Sequence, residues 1–121
     1  IFDEIGGLNQ DLFWMEDIDF CVRLKNIGLK NFYIPKTKII HFGGKSSEKN
    51  YNISIPNQIL SKVKYFHIHH SNLKANSLYF SILFITILKT IILFFYAKFS
   101  KSGKIKLKAY LVALKLVLGF R

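Results

Sequence analysis

Acidic residues are scarce in this 121-residue chain and are confined to one part of it. All seven lie between Asp3 and Glu48, and no Asp or Glu follows. The segment from Lys49 to Arg121 holds twelve Lys or Arg, so the net charge of +11 belongs to this segment. Because the same segment is rich in Ile, Leu and Phe, we expect it to meet an anionic membrane surface. We expect no nucleic acid partner, since no stacking or groove-reading motif accompanies the lysines.

Cysteine occurs only once, as Cys21, which excludes a disulfide within the chain and fits a reducing, cytoplasmic setting. Its position in an apolar pattern favours a packing role over a nucleophilic one. No N-terminal signal peptide is visible. The chain starts at Ile1 without a Met and enters directly into a motif, so we expect it to be the back part of a longer protein.

The most informative stretch covers residues 14–24, where three carboxylates precede an apolar pattern with helical spacing. The carboxylates belong to Glu16, Asp17 and Asp19. The pattern predicts a helix over residues 17–26, because acidic side chains are stabilised by the unpaired N–H groups and the dipole at a helix start. A purely structural interpretation is a capped helix, buried on most sides, in which Asp19 pairs with Arg23 four residues later.

Two short strands are predicted after this helix. Residues 29–34 alternate well enough for a strand that ends at Pro35, and a second short strand is predicted at residues 37–41. The segment 43–47 is a glycine- and serine-rich loop. Such a loop can approach a phosphate through its backbone N–H groups, but it lacks the spacing of a Walker motif.

Three histidines lie close together in a segment, residues 51–77, that is predicted to be partly helical. They are His67, His69 and His70. His67 and His70 could share one helix face, yet no Cys, Asp or Glu follows Glu48 to complete a tetrahedral zinc site. A surface or interface cluster is therefore the better interpretation.

Residues 78–97 are apolar and carry Lys89 as their sole charge. A helix of these twenty residues would be long enough to span a membrane. Lysines flank both ends, however, and Lys89 would cost about 3 kcal/mol at a bilayer centre. An in-plane or shallow re-entrant helix with both ends cytoplasmic meets these objections. Past Gly103 the apolar residues recur opposite lysines, as in an interfacial amphipathic helix. The alternative is a helix pair that covers another part of the protein.

Several motifs follow one another in a recognisable order. They are Gly6-Gly7, the aromatic step Phe13-Trp14, Glu16-Asp17-Ile18-Asp19, Arg23, Gly28, Pro35, and His41 before Gly43, Gly44 and Ser46. This order resembles the inverting glycosyltransferases of family two, in the branch with rhamnosyltransferase-like and galactofuranosyltransferase-like enzymes. Leu8-Asn9-Gln10 stands where the family has Phe-Asp-Glu, so two charges are lost.

The resemblance implies a fold and a division of the chain. Residues 1–75 would be the C-terminal part of an α/β catalytic domain of the GT-A type, on its acceptor side, and residues 76–121 would be membrane-associated helices. The implied activity moves a sugar from a nucleotide-diphospho-sugar donor to a glycan or lipid-linked acceptor at the cytoplasmic face of the cell membrane. The alternative is a non-catalytic, basic membrane-surface interaction module.

The resemblance also implies roles for the residues at the start of the acidic helix. Asp17 would be the general base that takes the proton of the acceptor hydroxyl. Glu16 would position the acceptor, and the pair Asp19 and Arg23 would support the helix. Trp14 would either fill the core or offer a stacking face to a sugar.

Metal and phosphate binding are implied for the loop region. His41 would be a ligand of Mg²⁺ or Mn²⁺ or a diphosphate contact, and Ser46 and Ser47 would bind the same phosphates. Asp17-Ile18-Asp19 matches the family's metal-binding acid pattern, but that motif lies much earlier in the family, at the end of a strand. We therefore expect the donor site to lie outside this chain, and the chain alone to be inactive.

Overall fold

A computed structural model describes residues 1–40 and 50–120, and in these ranges it contains four helices and no strand. The helices are α1 (Glu16–Asn26), α2 (Tyr51–His69), α3 (Asn72–Tyr96) and α4 (Lys101–Gly119). The described chain is therefore all-α. The predicted α/β fold of the GT-A type is wrong.

The two predicted strands are irregular in the described residues. Residues 29–34 and 37–40 have no regular structure and are exposed, with Tyr33 and Ile39 each 90% accessible. A strand is stable only when its backbone groups pair with a neighbouring strand. No other part of residues 1–40 or 50–120 supplies that partner, and a short alternating pattern does not create one. Residues 41–49 lie outside the described ranges.

The ends of α1 agree with the sequence prediction to within one residue. The helix starts after Met15, whose φ of 73° is left-handed. It ends at a turn in which the backbone N–H of Leu29 donates to the carbonyl of Leu24 at 3.1 Å. Gly28 adopts a φ of 83° in this turn, a conformation that favours glycine.

The burial of α1 differs from the prediction. Asp19 is its only buried residue, whereas Ile18 is 45% accessible and the free thiol of Cys21 is exposed. The apolar pattern predicted a helix covered on most sides, but no element of the described chain packs over its outer face. The packing role predicted for Cys21 is accordingly wrong in this structure.

Helices α2, α3 and α4 form an up-down-up bundle. Two contacts show that α2 and α4 run parallel: Lys106 lies 5.5 Å from the ring centroid of Tyr51, and the rings of His67 and Phe120 are 5.1 Å apart. Helix α3 follows α2 and precedes α4 in the sequence. It runs antiparallel to both, because Ala97 at its end lies beside Gly103 at the start of α4.

Small residues allow these helices to approach closely. The buried residues of α3 and α4 include Ala75, Ala97, Gly103, Ala109 and Ala113. A Cβ added to Gly103 would lie 2.8 Å from Cδ1 of Tyr96 and 3.1 Å from Cα of Ala97. The crossing of α3 and α4 therefore requires glycine at this position.

Helix α3 is strongly apolar and mostly uncovered. It has 25 residues, and the mean hydropathy of its most apolar 18-residue window is 2.3. Length and composition make it a candidate membrane helix, a test that the core helix of a soluble protein also passes. Only 6% of that window is buried, however, so α3 is not a core helix of the described chain.

Candidate functional site

A buried carboxylate joins α1 to α2. The side chain of Asp19 is 1% exposed, and its Oδ2 atom lies 2.9 Å from Nε of Arg23. Its Oδ1 atom lies 2.7 Å from Nε2 of His69, near the end of α2. A buried carboxylate is tolerated when its oxygens are paired in this way. We call Asp19, Arg23 and His69 the Asp19 centre.

Arg23 extends the Asp19 centre to the segment before α1. Its two terminal nitrogens donate to the backbone carbonyls of Ile5 and Gly7, at 2.5 Å each. Its guanidinium carbon also lies 5.5 Å from the ring centroid of Phe20. The predicted pair of Asp19 and Arg23 is confirmed. Through Arg23, this pair holds the turn at Gly6 and Gly7, the glycine turn, against the helix.

Helix α2 holds the connection that leads into α1. The Oγ atom of Ser61, which is buried, accepts hydrogen bonds from the backbone N–H groups of Phe13 at 3.0 Å and Trp14 at 3.2 Å. Lys64 donates to the backbone carbonyl of Asp11 at 3.0 Å. These bonds satisfy donors and an acceptor that a loop would otherwise leave to water, and they position the residues that immediately precede α1.

The other two acidic residues at the start of α1 remain accessible to solvent. Asp17 is exposed, Glu16 is half-buried and the Trp14 side chain is 44% accessible. One oxygen of Asp17, Oδ1, accepts the backbone N–H of Ile18 at 2.8 Å. We call Trp14, Glu16 and Asp17 the acidic rim. Asp17 and Asp19 thus have opposite environments although they are two residues apart.

An open cavity of about 380 Å³ borders the Asp19 centre. Its lining consists of Gly6, Leu8, Asn9, Gln10 and Arg23. The stretch Leu8-Asn9-Gln10 therefore lines a cavity beside the half-buried side chain of Arg23. Its amide groups can donate and accept hydrogen bonds without adding charge.

Sequence reasoning missed His69. The sequence predicted one surface or interface cluster of three histidines without a specific partner. Only His67 and His70 are exposed, while His69 packs against the Tyr65 ring with centroids 4.7 Å apart. His69 and Asp19 are 50 residues apart in the chain. No local pattern carries information about a contact at that separation.

The predicted metal and phosphate residues are not placed by the structure. His41, Ser46 and Ser47 lie outside the described residues. Within residues 1–40 and 50–120, no group of three or more His, Cys, Asp or Glu side chains is arranged to hold a metal ion. The described residues therefore do not assemble a donor set for Mg²⁺ or Mn²⁺.

Comparison of the sequence with known protein families finds no match, and comparison with curated proteins and with solved structures also finds none.

Proposed function

We propose that this chain is the acceptor side of an inverting glycosyltransferase attached to the cytoplasmic face of a membrane. The observation that carries the proposal is the contrast between two neighbouring carboxylates. Asp19 is buried and uses both oxygens in ion pairs, whereas Asp17 is exposed beside an accessible tryptophan. One carboxylate holds the site together and the other is available to a substrate.

Asp17 acts as the general base in this proposal. It takes the proton of an acceptor hydroxyl while that oxygen attacks the anomeric carbon and the nucleoside diphosphate departs from the opposite face. Asp19 is unsuited to this role because Arg23 and His69 occupy its two oxygens.

The surroundings of Asp17 suit a carbohydrate acceptor. Trp14 exposes part of an aromatic face on which a sugar ring can stack, and Glu16 can accept a hydrogen bond from a second hydroxyl. Asn9 and Gln10 line the neighbouring cavity with uncharged amides. A glycan or a lipid-linked sugar matches these groups better than a charged small molecule does.

The membrane attachment is proposed to be in the plane of the interface. Helix α3 presents large apolar side chains to its surroundings, among them Phe80, Phe84, Ile92 and Phe95. Helix α4 packs beside it and carries exposed lysines, Lys104, Lys108 and Lys115. A vertical α3 would draw these lysines toward the hydrocarbon core, which is costly. A helix pair lying at the interface keeps them at the lipid headgroups.

The proposal is tested with membranes from cells that produce the intact gene product. Radiolabelled nucleotide sugars are supplied one at a time, and transfer to extractable lipid or glycan is compared with membranes from a gene-deletion strain. The proposal predicts gene-dependent transfer from at least one donor. It is contradicted if the deletion strain transfers every sugar at the wild-type rate.

A second candidate function is a non-catalytic, basic membrane-surface module. It is favoured by the apolar surface of α3 and by the lysines of α4, which need no reaction to be useful. This candidate predicts cosedimentation with anionic vesicles that nucleotide sugars do not alter, together with wild-type sugar transfer in the deletion strain.

A further inference from the structure

A second cavity, of about 250 Å³, lies between α2, α3 and α4. Its polar lining comes from Gln58 and Lys62 of α2, Thr86 and Lys89 of α3 and Tyr110 of α4, and apolar side chains such as Ile82 and Ile85 also line it. This cavity shares no residue with the Asp19 centre or the acidic rim. It also plays no part in the proposed sugar transfer.

Two lysines and no acidic side chain are among the described residues that line the cavity. Lys62 and Lys89 both line it, and neither makes an ion pair with a carboxylate in residues 1–40 and 50–120. No Asp or Glu follows Glu48 in the sequence. Both lysines are exposed, and two positive charges that line one cavity favour an anion there.

Lys89 interrupts an apolar stretch of α3. It is the only charged residue between Leu78 and Ala97, and an ionisable side chain in such an apolar helix usually marks a functional site. Its nitrogen lies 5.7 Å from the ring centroid of Tyr110, a favourable contact that leaves the positive charge in place. The one charge of residues 78–97 thus lines the same cavity as Lys62.

We propose that this cavity binds the phosphate group of a lipid. Ammonium groups form strong, charge-assisted hydrogen bonds to phosphate oxygens, and basic pockets between membrane-associated helices bind anionic headgroups. The cavity is smaller than the roughly 300–1,000 Å³ typical of sites for drug-sized ligands, which suits a headgroup. Ile82 and Ile85 also line the cavity, so the aliphatic part of the lipid would find apolar side chains beside the phosphate.

The test uses the full-length protein in nanodiscs of neutral phosphatidylcholine. Phosphatidic acid is titrated into the discs, and inorganic phosphate is titrated separately, so the two sources of the same phosphate chemistry are distinguished. The pocket variant combines Lys62→Gln with Lys89→Gln. The control combines Lys30→Gln with Lys36→Gln, which removes the same charge from exposed positions outside the three-helix bundle.

We expect the pocket variant to bind phosphatidic acid at least about tenfold more weakly and the control to change by less than about threefold. Inorganic phosphate should bind far more weakly than the lipid to the wild type. Equal losses in both variants, or no loss in the pocket variant, overturn the proposal. So does inorganic phosphate that binds as tightly as the lipid, since the apolar lining then contributes nothing.

A second variant protects the test against misfolding. Tyr110→Phe keeps the ring beside Lys89 and removes only the hydroxyl that lines the cavity. We expect it to retain the helical circular dichroism of the wild type and to bind phosphatidic acid several-fold more weakly. Unchanged affinity in this variant and in Lys89→Gln contradicts the assigned site.

Discussion

Nε2 of His69 and Oδ1 of Asp19 lie 2.7 Å apart, although 50 residues separate them in the chain. This contact joins the first turn of α1 to the last turn of α2. Together with Arg23 it holds the glycine turn, the acidic rim and the three-helix bundle in one arrangement. The first two predictions concern this contact.

Replacing Asp19 should destabilise the protein. Asp19→Asn removes the buried charge that both Arg23 and His69 face, and we expect a loss of about 3 kcal/mol in the free energy of unfolding, because Arg23 retains only partial access to water. The measurement is urea unfolding followed by circular dichroism. Asp17→Asn is the matched control and should lie within about 0.5 kcal/mol of the wild type. Equal stability of the two variants would contradict the buried role of Asp19.

His69 should be coupled to Asp19 energetically. We expect His69→Ala to cost about 1–3 kcal/mol of stability, because it leaves a buried carboxylate oxygen without its partner. His67→Ala, on the exposed side of the same helix, should have a smaller effect. A double-mutant cycle of Asp19→Asn and His69→Ala should give a coupling energy of at least about 0.5 kcal/mol. Strict additivity would show that the contact carries no energy.

Ser61 should control the order of the segment before α1. In Ser61→Ala the backbone N–H groups of Phe13 and Trp14 lose their acceptor, so their amide hydrogens should exchange faster. Trp14 is the only tryptophan, and its fluorescence should shift toward that of a more hydrated indole. Ser77→Ala, at an exposed position of α3, should change neither signal. Identical exchange in both variants would refute this anchoring.

The approach of α3 to α4 should depend on Gly103. A methyl group there would press on Tyr96 and on the backbone of Ala97, so Gly103→Ala should cost about 1–3 kcal/mol. Gly119→Ala is the matched control, because a Cβ at that position meets nothing within 4 Å. It should be neutral or stabilise α4 by about 0.5–1 kcal/mol. In thermal unfolding, Gly103→Ala should have a lower melting temperature than Gly119→Ala. The opposite order would contradict the close packing of α3 against α4 at Gly103.

Local patterns in the sequence predicted the local features of the fold. Carboxylates and Gly28 marked the ends of α1, and the apolar run and its lysines predicted helices in the C-terminal part. The spacing of Asp19 and Arg23 predicted their ion pair because both residues lie on one helix.

Features that depend on distant partners were not predictable from the sequence. The strand expected at residues 29–34 fails because pairing requires a neighbour that the described chain does not supply. The apolar pattern of α1 predicted burial but contained no information about what would cover it. His69 was assigned to a surface or interface cluster without a partner, since its partner Asp19 comes from another helix.

The most direct measurement is the rate of sugar transfer by Asp17→Asn in membranes that contain the intact gene product. The rate should fall about 10²–10⁴-fold with unfolding unchanged, because a positioned general base contributes that much. Asp11→Asn removes an exposed carboxylate from the same region and should keep the wild-type rate. A folded Asp17→Asn variant that transfers sugar as fast as the Asp11→Asn control would contradict the assignment of Asp17 as the base.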